Sequence, residues 1–183
     1  MTVNPIAECR LLCPARALAP WEARSIAERQ AHRFHVLMRI EEPPFPEQAI
    51  EALPRVQVRY VTARRISGAI RWRGGTWQIV VNRTDTWGRQ RYSLSHELKH
   101  LLDHSVRPTI YRDSRFGSAG LAAERAADYF AACLLMPKAW VKRCFYDEGF
   151  RDPRVLARRF QVSAAAMRWR FDQLGLLEPE VVR

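Results

Sequence analysis

The sequence predicts an α+β fold, in which a small antiparallel sheet is followed by a series of helices. In three runs between residues 56 and 81, apolar side chains recur at every second position, which is the period of a half-buried β-strand. Beyond residue 93, they recur at the three- and four-residue spacing of helices, with only short interruptions. Strands and helices that occupy separate stretches of a chain are typical of the α+β class.

Length and composition indicate an ordinary globular protein. The chain has 183 residues, of which 48% are apolar and 27% are charged, enough to bury one sizeable core. Disordered chains, collagens and repeat arrays are thereby excluded. The longest uncharged stretches have about nine residues, whereas a membrane-spanning helix needs roughly 20 apolar ones. Because Glu8 and Arg10 interrupt the apolar core that a signal peptide needs, we expect a cytoplasmic protein with no membrane partner.

The net charge is strongly positive and is carried almost entirely by arginine. Thirty basic residues against 19 acidic ones leave a net charge of +11, and only Lys99, Lys138 and Lys142 are lysines. Arginine guanidinium groups suit phosphates and carboxylates. The excess therefore favours a nucleic acid or an acidic protein as partner, although an arginine-rich solvated surface is an equal alternative.

The cysteines do not form the dense pattern of a disulfide framework. Cys133 and Cys144 fall in apolar helical contexts, and Cys9 and Cys13 lie near the N-terminus. Cys9 and Cys13 lack the second Cys or His pair that a structural zinc site requires. We expect them to be two free thiols.

The N-terminal part of the chain predicts two helices. Residues 1–19 are expected to be an irregular extension. Residues 20–40 carry apolar side chains near helical spacing, which predicts one amphipathic helix, and the prolines of residues 43–46 end it. A short second helix is predicted over residues 47–53.

Three strands are predicted next. Apolar residues alternate with polar ones over residues 56–60, 70–73 and 77–81. Gly74 and Gly75 separate the last two runs and predict a tight hairpin. The sheet should have one apolar face and one face lined with arginine side chains.

The rest of the chain predicts helices, most of which begin at a capping residue and end at a proline or glycine. Ser93 is the expected N-cap of the first of them. The predicted helices cover residues 94–104, 119–135, 138–146, 154–160 and 164–174.

His96, Glu97 and His100 form the pattern that carries the chemistry. At 100° per residue, His100 lies about 40° and Glu97 about 100° from His96, while the leucines of this helix occupy a different face. Two imidazoles one turn apart can bind one Zn²⁺ ion, with the adjacent carboxylate placed to accept a proton from water. A surface helix with incidental histidines is the alternative interpretation.

A catalytic zinc site needs a third protein ligand. His104 lies about 12 Å beyond His96 along the helix axis, too far to share one ion. Glu124 and Asp128 lie on one face of the next long helix, in which a lone carboxylate needs a cation or a hydrogen-bond donor. We expect Glu124 to be the ligand and Asp128 to accept the free ring N–H of a ligand histidine. Ordinary ion pairs are the alternative.

These segments resemble the ImmA/IrrE family of zinc metallopeptidases. The resemblance rests on HELKHLLDH at residues 96–104 together with ERAADYFAACLLMP at residues 124–137, and it extends to Ser67-Gly68 and to residues 91–95. It runs from about Trp21 to Leu177, and the joint motif is far more specific than either half.

Two residues depart from the family pattern. Lys99 occupies a position that is usually small, and Asp128 one that is often Asn. Lys99 projects away from the predicted metal face, so we expect the metal site to be intact.

The resemblance implies a thermolysin-like zincin core, with zinc held by His96, His100 and Glu124 and with Glu97 as general base. It also implies a metallo-endopeptidase of the HExxH type. Its protein substrate would be a cognate helix-turn-helix repressor, whose cleavage relieves repression in a mobile element or a stress response. In such sites a cation or a tyrosine supports the oxyanion, and spacing does not choose among Tyr92, Tyr111 and Tyr146.

The predicted organisation is an N-terminal extension over residues 1–19, a zinc metallopeptidase domain over residues 20–147 and a C-terminal helix-turn-helix-like lobe over residues 148–183. The lobe contains two short helices around a turn and six arginines between residues 151 and 170, which can contact phosphates.

Met167, Phe171 and Leu174 are nevertheless spaced to pack inward, and similar segments of the family belong to the peptidase itself. We expect this lobe to serve packing or substrate docking, with DNA binding as the alternative. The rival to the peptidase is a DNA-binding regulator whose metal site is structural or vestigial. A structural zinc site normally has four protein ligands and no need of Glu97.

Overall fold

The computed structural model describes residues 3–112 and 117–177. The outer ends of the first and last predicted domains, residues 1–2 and 178–183, lie outside the described residues. In chain order the elements are α1 (Pro5–Arg10), α2 (Pro20–Met38), α3 (Gln48–Glu51), β1 (Val56–Val61), β2 (Gly68–Arg73), β3 (Thr76–Asn82), α4 (Trp87–Asp103), α5 (Arg107–Ile110), α6 (Ala119–Leu135), α7 (Lys138–Tyr146), α8 (Pro153–Phe160) and α9 (Ala164–Gln173). The predicted α+β class is confirmed.

The three strands form a mixed sheet in the order β1-β3-β2. β2 and β3 are antiparallel and are joined at Gly74 and Gly75, which both have positive φ, so the predicted hairpin is confirmed. The expectation of an antiparallel sheet is wrong for β1, which pairs parallel with β3. The reason is that alternating hydrophobicity reports which side chains share a face and not in which direction the strand runs.

The apolar face of the sheet packs on α4, and α4 packs on α6. Val58, Ile79 and Ile70 are paired across the three strands on one face, whereas Gln57, Gln78 and Arg71 are paired on the other. α2 covers the other side of α6, so that α6 runs through the middle of the molecule. Its alanine-rich sequence permits this close approach on both sides.

α4 begins at Trp87 and not at the predicted Ser93. Ser93 lies inside the helix and is buried. The first two turns of α4 contain few apolar residues and therefore show no helical period. They are held instead by Arg91, which is 3% exposed, pairs with Glu47 at 2.9 Å and donates a hydrogen bond to the carbonyl of Phe45 at 2.7 Å.

The N-terminal stretch contains a helix, so the expectation that residues 1–19 are irregular is wrong for α1. Asn4 caps this helix by accepting a hydrogen bond from the backbone N–H of Ile6 at 3.0 Å, and Pro5 occupies its first turn. Cys9 is buried, and Arg10 donates hydrogen bonds to the last carbonyls of α4. All four cysteines are free, as expected.

One hydrophobic cluster runs through most of the described chain. It joins residues of α2, α4 and α6 to Leu156, Phe160, Met167 and Phe171 of α8 and α9, which confirms that the latter helices pack inward. The division into a domain over residues 20–147 and a lobe over residues 148–183 stays a prediction. Within the described residues, no helix is both long and apolar enough to cross a membrane.

Candidate metal centre

Two helices position the predicted metal ligands. α4 presents His96 and His100 one turn apart, and α6 presents Glu124 and Asp128 one turn apart toward them. Ser118 starts α6 by accepting a hydrogen bond from the backbone N–H of Leu121 at 3.2 Å. The packing of α4 on α6 therefore sets the distance between the two pairs.

The structure brings His96, His100 and Glu124 together. His96 Nε2 lies 3.0 Å from His100 Nε2 and 3.1 Å from Glu124 Oε2, and His100 Nε2 lies 3.3 Å from Glu124 Oε1. Ligand atoms about 2.0–2.1 Å from a tetrahedral zinc ion lie roughly 3.3 Å from one another. Two imidazoles and one carboxylate are also a usual catalytic zinc donor set. The three residues thus fit a zinc ion in both chemistry and spacing.

Asp128 lies behind His96. The Nδ1–H group of His96 donates a hydrogen bond to Asp128 Oδ1 at 3.0 Å, and the hydroxyl of Tyr92 donates to the same oxygen at 2.8 Å. This contact fixes the ring so that Nε2 faces His100 and Glu124. Hydrogen bonding to His96, the largest cause, holds the pKa of Asp128 below its usual range.

The pKa values of the two histidines shift in opposite directions. Burial lowers the pKa of His96, but the hydrogen bond and charge of Asp128, together with the charges of Glu97 and Glu124, outweigh burial and raise it. Burial and the neighbouring His96 lower the pKa of His100. The difference follows from Asp128, which contacts only the first of the two rings.

Glu97 lies beside the three predicted ligands and is largely buried. Burial, the largest cause, raises its pKa to about 7; the imidazole of His96 opposes this rise and the carboxylate of Glu124 adds to it. Gly68 of β2 lies directly against its side chain, since a Cβ on Gly68 would lie 3.1 Å from both Cγ and Oε1 of Glu97.

An open cavity of about 930 Å³ gives access to this cluster. His96, Glu97, Glu124 and Asp128 all line it. Its other walls come from the strand β2, the start of α4 and the turn between α8 and α9. This volume is within the range of sites that bind organic ligands.

Of the three tyrosines predicted as alternatives for oxyanion support, only Tyr92 lines the cavity in the described chain. The hydroxyl of Tyr111 is buried and donates a hydrogen bond to Asp103 at 2.5 Å. Tyr146 is exposed and packs edge to face on Phe145. The three candidates thus differ in location, and Tyr92 is the one at the cavity. Its hydroxyl donates a hydrogen bond to Asp128.

His104 lies apart from the cluster, as its spacing predicts. Its ring packs edge to face on Trp77 of β3, with centroids 4.6 Å apart. Lys99 also points away from the ligands and into the protein, where its ammonium group donates hydrogen bonds to Gln30 and Asp103.

Residues of the α8–α9 turn line the cavity, which sequence reasoning missed. Val162, Ser163 and Ala166 lie there with the side chain of Arg89. The turn approaches α4 so closely that a Cβ on Gly88 would lie 3.2 Å from the backbone nitrogen of Ser163. Gly88 was the one available signal, because glycine often marks a close approach of two backbones.

The chain is similar to a known protein family and to a solved structure. The family model described as the IrrE N-terminal-like domain of M78 peptidases matches residues 45–172. A solved structure described as a Mycobacterium tuberculosis transcriptional regulator is similar to the chain, with a TM-score of 0.65 and 18% identity over 92% of this chain and 51% of that one. The chain thus spans about half the length of that protein, and this likeness concerns the fold alone.

No curated protein matches the chain. The family match, in contrast, covers well over half of the chain, and it includes the whole of α4, the whole of α6 and the turn between α8 and α9. The chain belongs to the M78 peptidase family, whose IrrE N-terminal-like domain it carries.

Proposed function

We propose that this protein is a zinc-dependent metallo-endopeptidase with a thermolysin-like core. The observation that carries the proposal is the convergence of His96, His100 and Glu124 within hydrogen-bonding distance of one another, beside Glu97 and at an open cavity. Three protein ligands and a nearby carboxylate are the composition of a catalytic zinc site, whereas a structural site is closed by four ligands.

Zinc, when bound, supplies a Lewis acid that polarises a peptide carbonyl and makes water more acidic. Glu97 accepts the proton of the attacking water and passes it to the nitrogen of the leaving amine. Its placement between the ligand cluster and Gly68 supports this role, because the carboxylate is held on one side by β2 and faces the cavity on the other.

Asp128 orients His96 rather than acts on substrate. The two hydrogen bonds that converge on Asp128 Oδ1 keep the imidazole in one tautomer and one rotation. Either Tyr92 or an arginine at the cavity, such as Arg89, is placed to support the oxyanion. Neither role alters which residues bind the metal.

The substrate is a protein segment in an extended conformation. β2 is at the edge of the sheet, and no strand of the described chain pairs with its outer side. An extended peptide can add to such an edge through main-chain hydrogen bonds. This strand begins at Gly68, next to Glu97, so an added peptide would pass the ligand cluster.

We infer that the substrate is a helix-turn-helix repressor and that cleavage takes place in the cytoplasm. The family assignment and the net charge of +11 support this choice, because a repressor bound to DNA presents a strongly negative complex.

Co-expression of the full chain with helix-turn-helix repressors of the same genome, followed by intact-mass analysis, tests the proposal. Two new fragments whose masses add up to that of the repressor plus one water are expected, and a metal chelator should prevent their formation. Intact repressors in every combination, with zinc present in the purified chain, would contradict it.

A DNA-binding regulator is the second candidate, and the α8–α9 pair favours it. These two short helices around a turn carry exposed arginines at positions 158 and 168. In a helix-turn-helix protein, the start of the second helix enters the major groove. Here Ser163, at the start of α9, lies against α4 and lines the cavity instead. A mobility shift of specific duplex DNA by the chain alone at physiological salt would favour the DNA-binding regulator over the peptidase.

A further inference from the structure

A second cavity of about 850 Å³ lies where α2, the end of α6, the start of α7 and α9 meet. It shares no lining residue with the cavity of the candidate metal centre. Leu12, Val36, Pro137 and Ala139 give it apolar walls. Its volume is within the range of sites that bind small organic molecules.

Basic side chains surround the apolar walls of this second cavity. Arg29, Lys138 and Lys142 line it, and none of the three forms an ion pair with another described residue. Arg33 also lines it but already pairs with a carboxylate of α1. Among the described lining residues, only Glu28 carries a carboxylate. The cavity therefore has an excess of positive charge.

Arg170 carries a buried charge at the same cavity. It is 1% exposed, its Nε donates a hydrogen bond to the carbonyl of Met136 at 3.0 Å, and its Nη1 donates to Gln173 at 3.2 Å. Its Nη2 has no hydrogen-bond partner within the described residues. No described carboxylate lies within ion-pair distance of this guanidinium group, whose carbon lies 5.9 Å from the centroid of the Tyr129 ring. A buried donor without a partner is unfavourable unless an acceptor, best an anion, occupies the adjacent space.

The other buried polar groups of the cavity do not supply that anion. Burial, the largest cause, raises the pKa of the Cys133 thiol to about 11, so the sulfur is uncharged near pH 7. Burial also lowers the pKa of His35 to about 4, and its ring is held by the carbonyl of Leu134 at 2.9 Å. The positive charge of Arg170 is therefore not balanced by these neighbours.

We propose that this second cavity binds a small amphipathic organic anion. Its headgroup would accept a hydrogen bond from Nη2 of Arg170 and face Lys138 and Lys142. Its apolar part would lie along Val36 and Pro137. Two kinds of group thus select the ligand: the guanidinium and ammonium groups require negative charge, and the apolar walls require a hydrocarbon body. This site is independent of the proposed peptidase function.

Titration calorimetry of the full chain tests the site with three probes. These are 1-octanesulfonate, octyltrimethylammonium, which reverses the charge, and methanesulfonate, which lacks the hydrocarbon body. Saturable binding of 1-octanesulfonate with one site per chain is expected. Arg170→Met should weaken it about 10- to 100-fold, since a charge-assisted hydrogen bond is lost. The control Arg59→Gln, which removes an exposed arginine of β1, should leave it unchanged.

Arg170→Met can fail to fold because the carbonyl of Met136 loses its donor. In that case, the double variant Lys138→Gln, Lys142→Gln is measured instead, because it alters only the rim of the cavity. Its affinity for 1-octanesulfonate is expected to be about tenfold lower. Absence of saturable binding, equal binding of octyltrimethylammonium, or unchanged binding in the rim variant would overturn the proposal. Circular dichroism and the midpoint of urea unfolding verify that each variant is folded.

Discussion

Gly68 lies so close to Glu97 that no larger residue fits between them without a shift. A Cβ on Gly68 would lie 3.1 Å from Glu97 Cγ, 3.1 Å from Glu97 Oε1 and 3.3 Å from Ser93 Cβ. The edge strand of the sheet and the ligand helix are therefore in contact at the proposed general base. This contact makes the position of the carboxylate depend on the sheet as well as on its own helix.

Replacement of Gly68 by Ala is expected to impair cleavage without loss of metal. The added methyl group must displace the side chain of Glu97 by a few tenths of an ångström, and a misplacement of about 1 Å can cost about 100-fold in rate. Rates measured on the repressor substrate should fall about tenfold or more, with unchanged zinc content.

Gly120→Ala is the matched control for this change. Gly120 lies in the first turn of α6, and a Cβ there would meet nothing nearer than 3.8 Å. It should cleave at the normal rate. Equal rates in both variants would show that Glu97 adapts to the methyl group and that Gly68 does not position it.

Lys99 lies between the two histidines of the metal motif but makes contacts only on the opposite, buried side of α4. Its ammonium group is 1% exposed and donates hydrogen bonds to Asp103 at 2.5 Å and to Gln30 at 2.6 Å. Asp103 also accepts a hydrogen bond from Tyr111 at 2.5 Å. These contacts join α4 to α2 and to the segment after α5, on the side of α4 that faces away from the metal ligands.

Lys99→Met should lower the free energy of unfolding by about 3–5 kcal/mol, because it leaves the buried carboxylate of Asp103 without its cation. Lys138→Met, at an exposed position, should change it by less than about 0.5 kcal/mol. Urea unfolding of both variants measures the difference. A loss of less than about 1 kcal/mol for Lys99→Met would show that the pair contributes little.

The helices and strands were largely predictable from the sequence because most of the long helices have a strong period and a clear boundary. The predicted bounds of α7, residues 138–146, agree with the structure, as does the start of α6 after Ser118. The start of α4 was missed because Arg91 and its neighbours are polar and are stabilised by tertiary contacts. Strand direction was missed because side-chain alternation does not encode it.

The candidate site was predictable only in part. The spacing of His96 and His100 along one helix indicates a metal, and the two carboxylates of α6 follow from their apolar surroundings. The contact of Tyr92 with Asp128 and the approach of the α8–α9 turn to Gly88 join distant parts of the chain. Gly88 indicates that some backbone approaches closely, but no local pattern identifies the partner in either contact. The second cavity, likewise, exists only in the folded protein.

His100→Ala is expected to abolish zinc binding. Two protein ligands remain in this variant, whereas catalytic zinc sites use three. Elemental analysis of protein purified without added metal should show about one zinc per chain before the change and almost none after it. His104→Ala, one turn further along α4 and in contact with Trp77, should retain zinc. Unchanged zinc in His100→Ala would refute the ligand assignment.

Asp128 is expected to tolerate Asn better than Ala. An Asn side-chain oxygen can still accept hydrogen bonds from His96 and Tyr92, while Ala leaves both donors without a partner. Loss of such a supporting contact typically costs 10- to 100-fold in metal affinity or activity. Competition with a chelator and cleavage rates measure both quantities. Identical values for the native protein, Asp128→Asn and Asp128→Ala would mean that Asp128 does not orient the histidine.

In the proposed mechanism, Glu97 moves the proton in peptide hydrolysis while the neighbouring residues hold zinc. Glu97→Gln preserves the size and most contacts of the side chain but removes its ability to accept that proton. Zinc content and repressor cleavage are both measured on one preparation of this variant. About one zinc per chain and loss of cleavage by at least about 1,000-fold are expected. Loss of the zinc, or cleavage at the native rate, would contradict this mechanism.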